Sequence, residues 1–574
     1  MAFQVSPGVE VKEVDLTNVV PAISTSIGGI AGSFNWGPVD QITTLSSEKE
    51  LASIFGKPDS NTFPYFMSAA AFLKYGSTLK VVRAASGHKN ATAGGAGLLI
   101  KNRDDYESIT TSGSGTFGAK YPGILGNSID VIICPADSTA WAAFNNSYNG
   151  VSYDYSSGFD SIPGTSTYAD GVGSSKDEMH IVIVDSNGAW TGTPGTVLEK
   201  FVGVSQGSDA KKTDGTSNYY VDVVNGSSQY IWWLDHAVSL TDSGDTCVQV
   251  GVTNGDFATG TSIITSTLSG GTDDNAPTTG EIFTGFGLFA DPDTVDVNLL
   301  ISGPIPSGAT GISLSNDLIS LAEARKDVVV FLSPPIDATV GTSTPVSDVK
   351  THVDQLTSSS YAVMDSTALK VYDKYSDVFR WIPGCGHTAG LCAKTDSTND
   401  PWFSPAGYNR GQLLGITKLA HNPSKSDRDT LYKARINPIV SFPGDGIVLF
   451  GDKTMLSKPS AFDRINVRRL FIILEKSIST ASRYQLFEFN DQFTRAMFKN
   501  MVEPFLRDIK GRRGVTDFLV VCDTTNNTGE VIDKNEFVAD IYIKPARSIN
   551  FISLNFIATR TGVEFSEIVG LTAA

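Results

Sequence analysis

Three stretches of this 574-residue chain carry residue types that could do chemistry. Gly446-Ile-Val-Leu-Phe-Gly-Asp-Lys-Thr454 has the glycines, lysine and threonine of a phosphate-binding loop. A residue intervenes between the second glycine and the lysine, however, and apolar side chains occupy the positions where such a loop needs small, open backbone. Cys385-Gly-His387 with Cys392 offers three metal ligands. No fourth lies at the usual spacing, so buried structural residues are the expectation. Gly203-Val-Ser-Gln-Gly207 has the letters of a nucleophile elbow, but polar residues follow it in place of the required helix. None of the six histidines belongs to a recognised signature. No catalytic, cofactor or metal residue is therefore assigned, and an enzyme is not expected.

A fourth group is charged. Lys510, Arg512 and Arg513 follow a long helical pattern that also carries Arg495 and Lys499. Basic residues at a helix end are commonly dipole partners and solvated charge. The alternative is contact with an acidic surface, and the charge distribution bears on it. Residues 401–574 hold 23 Lys+Arg against 18 Asp+Glu, and residues 1–400 hold 21 against 43. Chance unevenness on solvated faces is the bland explanation; a carboxyl-terminal region facing an acidic partner is the sharper one. Nucleic acid is a poor partner for a chain of net charge −17.

The elements that must position these residues follow from length and pattern. A chain this long exceeds a single core and is expected to form several domains, some of them nested. With 41% hydrophobic residues, 18% charged and 55 glycines it is a folded, turn-rich, β-containing protein. Five scattered cysteines fit a reducing compartment better than a disulfide framework. No window approaches a membrane span and no signal segment begins the chain, so it is expected to remain in the cytoplasm without membrane insertion.

From Ser24 to Ala85 the pattern is α/β: a small-residue strand at Thr25–Gly32, a helix after Ser46, a helix capped by Thr62, and a strand at Leu79–Arg83. The alternation resumes with strands at Val295–Ile301, Asp327–Leu332 and Tyr361–Met364 and helices at Asn316–Arg325 and Val346–Leu356, which implies a largely parallel sheet. Between lies a Gly/Ser/Thr/Asn-rich segment with short strands, Ile129–Ile133 and His180–Val184 among them, read as a β-rich insertion hinged near Ala85 and Gly271. Downstream come a short helix at Asp427–Ala434 and strands at Ile439–Phe442 and Gly446–Phe450. Two long helices follow, one capped by Ser460 and one with an apolar stripe of Leu486, Phe489, Phe493, Met497, Met501 and Phe505. Strands are then expected at Phe518–Cys522, Glu536–Ile543 and Ile549–Ile557. Each end of the chain alternates like a short strand with one apolar face, Val9 and Val11 against Glu10 and Lys12 at one end and Val563 and Phe565 against Glu564 and Ser566 at the other; Val5, Val14 and Ile568 are the further apolar residues of these arms. Such strands need a partner sheet.

Several motifs now coincide: Ser6-Pro-Gly-Val-Glu10, Phe34-Asn-Trp-Gly-Pro38, Phe55-Gly-Lys-Pro58, Tyr121-Pro-Gly-Ile-Leu-Gly-Asn127, Ser404-Pro-Ala-Gly-Tyr-Asn-Arg410, Gly451-Asp-Lys-Thr454, Phe462-Asp-Arg-Ile-Asn-Val-Arg-Arg-Leu470 and Asn535-Glu-Phe-Val538. With the stretch from Val520 to Phe551 they resemble contractile phage tail sheath proteins of the T4-like myovirus type, over nearly the whole chain and most strongly after Ser404. The resemblance implies a structural virion protein of the tail, assembled in the cytoplasm of a host bacterium. It would polymerise as stacked hexameric rings in a helical array around a tail tube and contract to drive the tube through the cell envelope. Tube, baseplate and tail terminator proteins would be its partners. The terminal arms, 1–23 and 559–574, would add strands to neighbouring subunits. Only Ala85–Lys120 separates the Leu79–Arg83 strand from the Tyr121 turn, so the protruding domain of the largest family members is expected to be missing.

The expected organisation is a multidomain α+β and α/β protein. An α/β middle domain (24–85 and 272–424) is interrupted by a β-rich outer domain (86–271), and an α/β inner domain (425–574) faces the tube and is completed by the amino-terminal arm. A bacterial contractile injection system is the same-class alternative. A β-rich surface adhesin is the different-class one.

Overall fold

The computed structural model describes residues 24–550 apart from 86, 96, 112, 236–260 and 274. Both expected terminal arms and residues 551–557 lie outside the described residues. The chain divides into two compact units with the break between Leu486 and Phe487.

The first unit is organised around a six-stranded sheet. Gly28–Gly32 lies inside it, parallel to Leu79–Arg83 on one side and Leu299–Ile301 on the other; Val329–Leu332 and Ala362–Met364 continue the parallel run, and Thr43–Leu45 closes the far edge antiparallel. Residues on either side of the 86–271 segment thus share one sheet. The glycines of the Gly28–Gly32 strand have a packing reason: a Cβ on Gly32 would enter the Tyr65 ring, and one on Gly28 would lie 2.8 Å from the Phe72 ring. Small residues let the helix Phe63–Leu73 lie close against the sheet, and that helix is buried nearly all round. The helix Cys385–Thr398 packs on it in turn, with Gly386 admitting the Ser68 carbonyl.

Two local expectations change. Thr62 does not cap its helix: its backbone is already helical, and its hydroxyl bonds Asp59, whose carboxylate accepts the Asn61 and Thr62 amides. The helix expected at Asn316–Arg325 begins earlier and spans Ala309–Arg325. Gly311 permits this early start, because any Cβ there would strike the Pro306 carbonyl.

Residues 129–267 build a second sheet of four antiparallel strands, in the order Ile264–Thr267, Ile129–Pro135, Glu178–Asp185, Thr196–Ser205. Both faces of its two middle strands are buried, Val131, Ile133, Ile181 and Ile183 on one side and Ile132, Val182 and Val184 on the other. That explains their unbroken apolar runs. The outer strand Thr196–Ser205 slips register twice against its neighbour, and Gly203 takes a positive φ of 58°. The segments entering and leaving this region pair through Lys89 with Thr272 and Thr92 with Ser269. Trp36, from the loop after the first strand of the α/β sheet, sits in the core of this second sheet, edge-on to Tyr121 at 5.6 Å and Trp190 at 4.8 Å. The fully buried Arg83 donates to the Gly37 carbonyl at 3.0 Å from the end of its own strand.

A three-stranded antiparallel sheet (Val378–Ile382, Leu369–Asp373, Ile416–Leu419) and the hairpin of Ile439–Phe442 with Gly446–Leu449 complete the first unit, together with the helix Ile465–Ser482. The boundary expected near residue 424 is not where the compact unit ends. Ile436, Ile439, Leu449, Met455, Ile465 and Ile472 belong to the same core as the parallel sheet, so residues 425–486 stay with it. Arg468 and Arg469 are turned inward. Arg469 pairs with Asp396 at 2.5 Å and donates to the Thr25 carbonyl, and Arg468 lies over the Tyr361 and Phe462 rings. A buried pair of this kind fixes geometry more than it adds net stability.

Asp365, just beyond the edge strand Ala362–Met364, is fully buried and accepts from Ser333 Oγ; burial pushes its carboxyl up to about 7. Below about pH 4 both folded and unfolded states hold the proton. Between pH 4 and 7 only the unfolded state ionises, so folding stability falls through that window and levels off above 7, by on the order of 4 kcal/mol for a shift of this size. Urea midpoints of the wild type and Asp365→Asn, followed against pH, should therefore diverge progressively from pH 4 to 7 in favour of the variant. A difference independent of pH would contradict this.

Candidate assembly interface

The possible chemical centres resolve as structural. Cys385, His387 and Cys392 are buried on the helix Cys385–Thr398, and His387 Nδ1 meets the Tyr75 hydroxyl at 3.0 Å. Burial pushes the two thiols up to about 11 and about 12 and the imidazole down to about 3, so all three are neutral near pH 7. Among the described residues no group of three His, Cys, Asp or Glu could hold a metal. Ser205 bonds the buried Asp177, and His180 is held between the Gly203 amide and the Ser161 carbonyl. In Gly446–Thr454 the apolar residues form a hairpin strand, Gly446–Leu449.

The polar motif residues serve the fold instead. Asp452 pairs with Arg464 at 2.9 Å and accepts from Ser404 Oγ at 3.0 Å; Lys453 Nζ donates to the Tyr432 carbonyl, and Thr454 Oγ1 to that of Phe462. Ser404-Pro-Ala-Gly, Gly451-Asp-Lys-Thr and Phe462-Asp-Arg thereby tie down the start of the helix Ile465–Ser482. Ser460 caps a short 3-10 turn ahead of that helix, and Arg464 takes its N-cap position.

What remains open is the second unit. Its helix Gln492–Gly511 starts where the Asp491 carboxylate accepts the Thr494 amide at 2.8 Å. It ends where Arg513 turns to a positive φ of 68° and Gly514 N returns to the Ile509 carbonyl. The buried face is Thr494, Arg495, Phe498, Met501, Val502, Leu506 and Ile509. This corrects the expected stripe. Phe489 (85% exposed), Phe493 (71%) and Met497 (40%) form an apolar row facing outward. The helix is rotated because Phe498 meets Phe537 at 5.3 Å and the strand Val515–Val521 packs beside it.

That strand pairs antiparallel with Asp540–Pro545, matching Phe518 with Ile543, Leu519 with Tyr542 and Val520 with Ile541. The ribbon has two strands only among the described residues, so each has one unpaired edge. Its outward face exposes Leu519 and Tyr542. The second strand starts four residues later than the Glu536–Ile543 expectation. Residues 536–539 are irregular because Asn527, 2% exposed, clamps them: Nδ2 donates to the Val538 carbonyl at 2.7 Å and Oδ1 accepts the Val538 amide at 2.9 Å. Asn526 adds bonds to the Val521 carbonyl and to Asp540. Pattern reading gave these two asparagines no role, although they lie in the Val520–Phe551 stretch that carries the family resemblance, five and six residues after the strand ends.

Of the five expected contact cations, Arg495 is buried and donates to Asn490 through Nη1 at 2.8 Å. Lys499, Lys510 and Arg512 make exposed pairs with Glu503, Asp517 and Asp508, and Arg513 is exposed. Exposed pairs of this type are worth roughly 0–1 kcal/mol and exchange readily for another partner.

Among the described residues the second unit thus combines an exposed apolar row with a two-stranded ribbon whose outer edges have no strand partner. Comparison with known proteins identifies the family. Residues 457–559 match the phage tail sheath C-terminal domain, 293–455 the phage tail sheath protein central domain, and 25–84 the N-terminal region of tail sheath protein Gp18 domain III. The chain is 35% identical to the tail sheath protein of Vibrio phage KVP40, covering 98% of this chain and 99% of the relative. It is 34% identical to that of Enterobacteria phage T4, covering 99% of each. The chain belongs to the phage tail sheath family. Among solved structures, the sheath tail protein Lin1278 of Listeria innocua shares the fold at a TM-score of 0.53 and 12% identity, over 92% of this chain and 93% of that one. The helical sheath of the anti-feeding prophage in its contracted state shares it at 0.51 and 14%, over 97% and 100%.

Replacing Asn527 by Ala should leave the Val538 backbone groups unpaired and loosen the ribbon by about 3 kcal/mol. Hydrogen exchange should accelerate at the amides of Val515–Val521 and Asp540–Pro545 and stay unchanged at Leu299–Ile301 and Val329–Leu332. A uniform increase across both units would contradict a local clamp.

Proposed function

We propose that this protein is the sheath subunit of a contractile phage tail. It would stack as hexameric rings into a helical polymer around the tail tube and contract to push the tube through the host envelope. The observation that carries this reading is the incomplete ribbon of the second unit. A two-stranded sheet is marginal alone, and open edges beside an uncovered apolar row favour strand addition by another chain. The terminal segments, with apolar Val5, Val9, Val11 and Val14 on one and Val563, Phe565 and Ile568 on the other, contain the local alternation such strands need at Val9–Lys12 and Val563–Ser566. Supplied by neighbouring copies, they would cover Phe489, Phe493 and Met497 while pairing with the ribbon.

Head-to-tail contacts that do not close make helices. Contraction then requires two packings of the same subunits separated by a barrier, with the tethered arms keeping connectivity while other contacts are exchanged. Under this reading the second unit is the inner, tube-facing one. Lys499, Lys510, Arg512 and Arg513 meet the tube, and residues 86–271 lie outward. The alignment with the T4 protein runs over 704 positions against the 574 of this chain, which supports a subunit without the protruding domain of the longest members. Tube, baseplate and terminator proteins are the implied partners. The virion tail is the implied location, after assembly in the bacterial cytoplasm. The relatives above 30% identity are all phage proteins, which favours a phage over an injection machine.

Deleting residues 1–16 should abolish ordered polymer in negative-stain micrographs while leaving a folded subunit; normal tubes would overturn the arm-exchange reading. Arg512→Glu with Arg513→Glu should impair co-assembly with tubes at low salt and leave the melting temperature of the free subunit within about 2 °C, since both side chains are exposed. Undiminished co-assembly would remove these two residues from the tube contact.

A further inference from the structure

Three motifs that stand far apart in the chain, Phe34-Asn-Trp-Gly-Pro38, Phe55-Gly-Lys-Pro58 and Tyr121-Pro-Gly-Ile-Leu-Gly-Asn127, converge where residues 86–271 leave and rejoin the α/β sheet. Trp36 follows the strand Gly28–Gly32 in sequence, yet it is 2% exposed. Among the described residues it is the only member of the buried core around Val131, Ile133, Ile181 and Ile183 that comes from outside 86–271. Its amide donates to the Phe55 carbonyl at 3.0 Å. Gly37 turns the chain back at a φ of 97°, and a Cβ there would lie 2.8 Å from the Phe55 ring. Gly56 passes so near that a Cβ on it would lie 3.2 Å from Trp36 Cβ. The indole is thus aimed by the α/β region and buried by the β-rich one.

The two connecting segments are fixed at the same place. Asn127 makes a double bond pair with Gly271, Nδ2 donating to its carbonyl and Oδ1 accepting its amide, each at 2.8 Å; Asp273 accepts the Ile124 amide at 2.7 Å. On the outgoing side Lys101 pairs with Asp40 at 2.8 Å, and its carbonyl accepts the Val39 amide at 2.9 Å. Two covalent connections alone leave a domain free to swing about its linkers. A third attachment through a buried indole removes that freedom, because withdrawing Trp36 from a close-packed core leaves a cavity the neighbours cannot fill.

We infer that Trp36 is a coupling residue: it locks the hinge expected near Ala85 and Gly271 and makes residues 86–271 unfold together with the α/β sheet as one cooperative body. Without the indole the sheet would tolerate an unfolded excursion between Arg83 and Leu299, since closing a long loop costs little more than closing a short one. The coupling belongs to the single subunit and stands or falls independently of any polymer.

The test follows the full chain, kept dispersed, by hydrogen exchange in increasing urea. In the wild type the amides of Ile129–Pro135 and Glu178–Asp185 should open at the same urea midpoint as those of Leu299–Ile301 and Val329–Leu332. Trp36→Ala should split the transition: the first group opens at lower urea, exchanging at least about a hundredfold faster, while the second stays near the wild-type midpoint. Ile183→Ala, a cavity in the same core that leaves the indole seated, should lower both midpoints together. Should Trp36→Ala not fold, Trp36→Phe keeps a ring in the socket and should give the same split at smaller size. Midpoints already separate in the wild type, coincident midpoints in the Trp36 variants, or an equal split in Ile183→Ala would each overturn the inference.

Discussion

The constraint that organises the second unit is the two-stranded ribbon of Val515–Val521 and Asp540–Pro545, whose outer edges have no strand partner among the described residues. Each strand satisfies one edge on the other, and the helix Gln492–Gly511 covers one face. The row Phe489, Phe493 and Met497 is exposed. Every device in the unit holds this incomplete sheet in shape: the Asp491 cap, the left-handed turn at Arg513, and the Asn527 clamp that substitutes a side-chain amide for missing strand pairing. A sheet preformed to this degree would lose little further entropy on gaining the strand that the proposed assembly adds.

The first unit is the contrasting case, held by partners distant in sequence. Its parallel sheet draws strands from both sides of a long excursion, and the excursion is tied back by Trp36, whose indole belongs to the second core although its backbone follows the first strand of the α/β sheet. The charged side chains that a helical wheel would place on the surface, Arg468 and Arg469, are used internally against Tyr361, Phe462 and Asp396. Residues that look like chemistry in one dimension serve as fasteners in three.

Much of this was legible in the chain itself. The βαβ alternation located the parallel strands to within a few residues, because buried parallel strands are short apolar runs between helices of clear period. The two-strand hairpin at Ile439–Leu449 and the β character of residues 129–184 followed from the same signal. What failed to show was anything decided by partners distant in sequence. Thr62 looks like a cap until its hydroxyl is seen to bond Asp59 in place of a helix amide. A row at i, i+4 spacing such as Phe489, Phe493 and Met497 looks like a core face, and only the packing of Phe537 and Val520 selects the neighbouring row instead. Arg495 reads as surface charge until Asn490 is seen to fold over it. Periodicity reports which residues are apolar, whereas the choice between two apolar rows depends on tertiary geometry.

One quieter feature bears on how such a chain avoids error. The outer strand Thr196–Ser205 is long and half-apolar, with Val197 and Val202 exposed, and it lies at the margin of its sheet. Left flat it would present a ladder edge open to a passing strand. Its two register slips, the positive φ at Gly203 and the charges of Glu199 and Lys200 spoil the ladder on that side. Under the proposed assembly one edge would receive a strand while the other would refuse one, and that asymmetry would separate ordered growth from indiscriminate sticking.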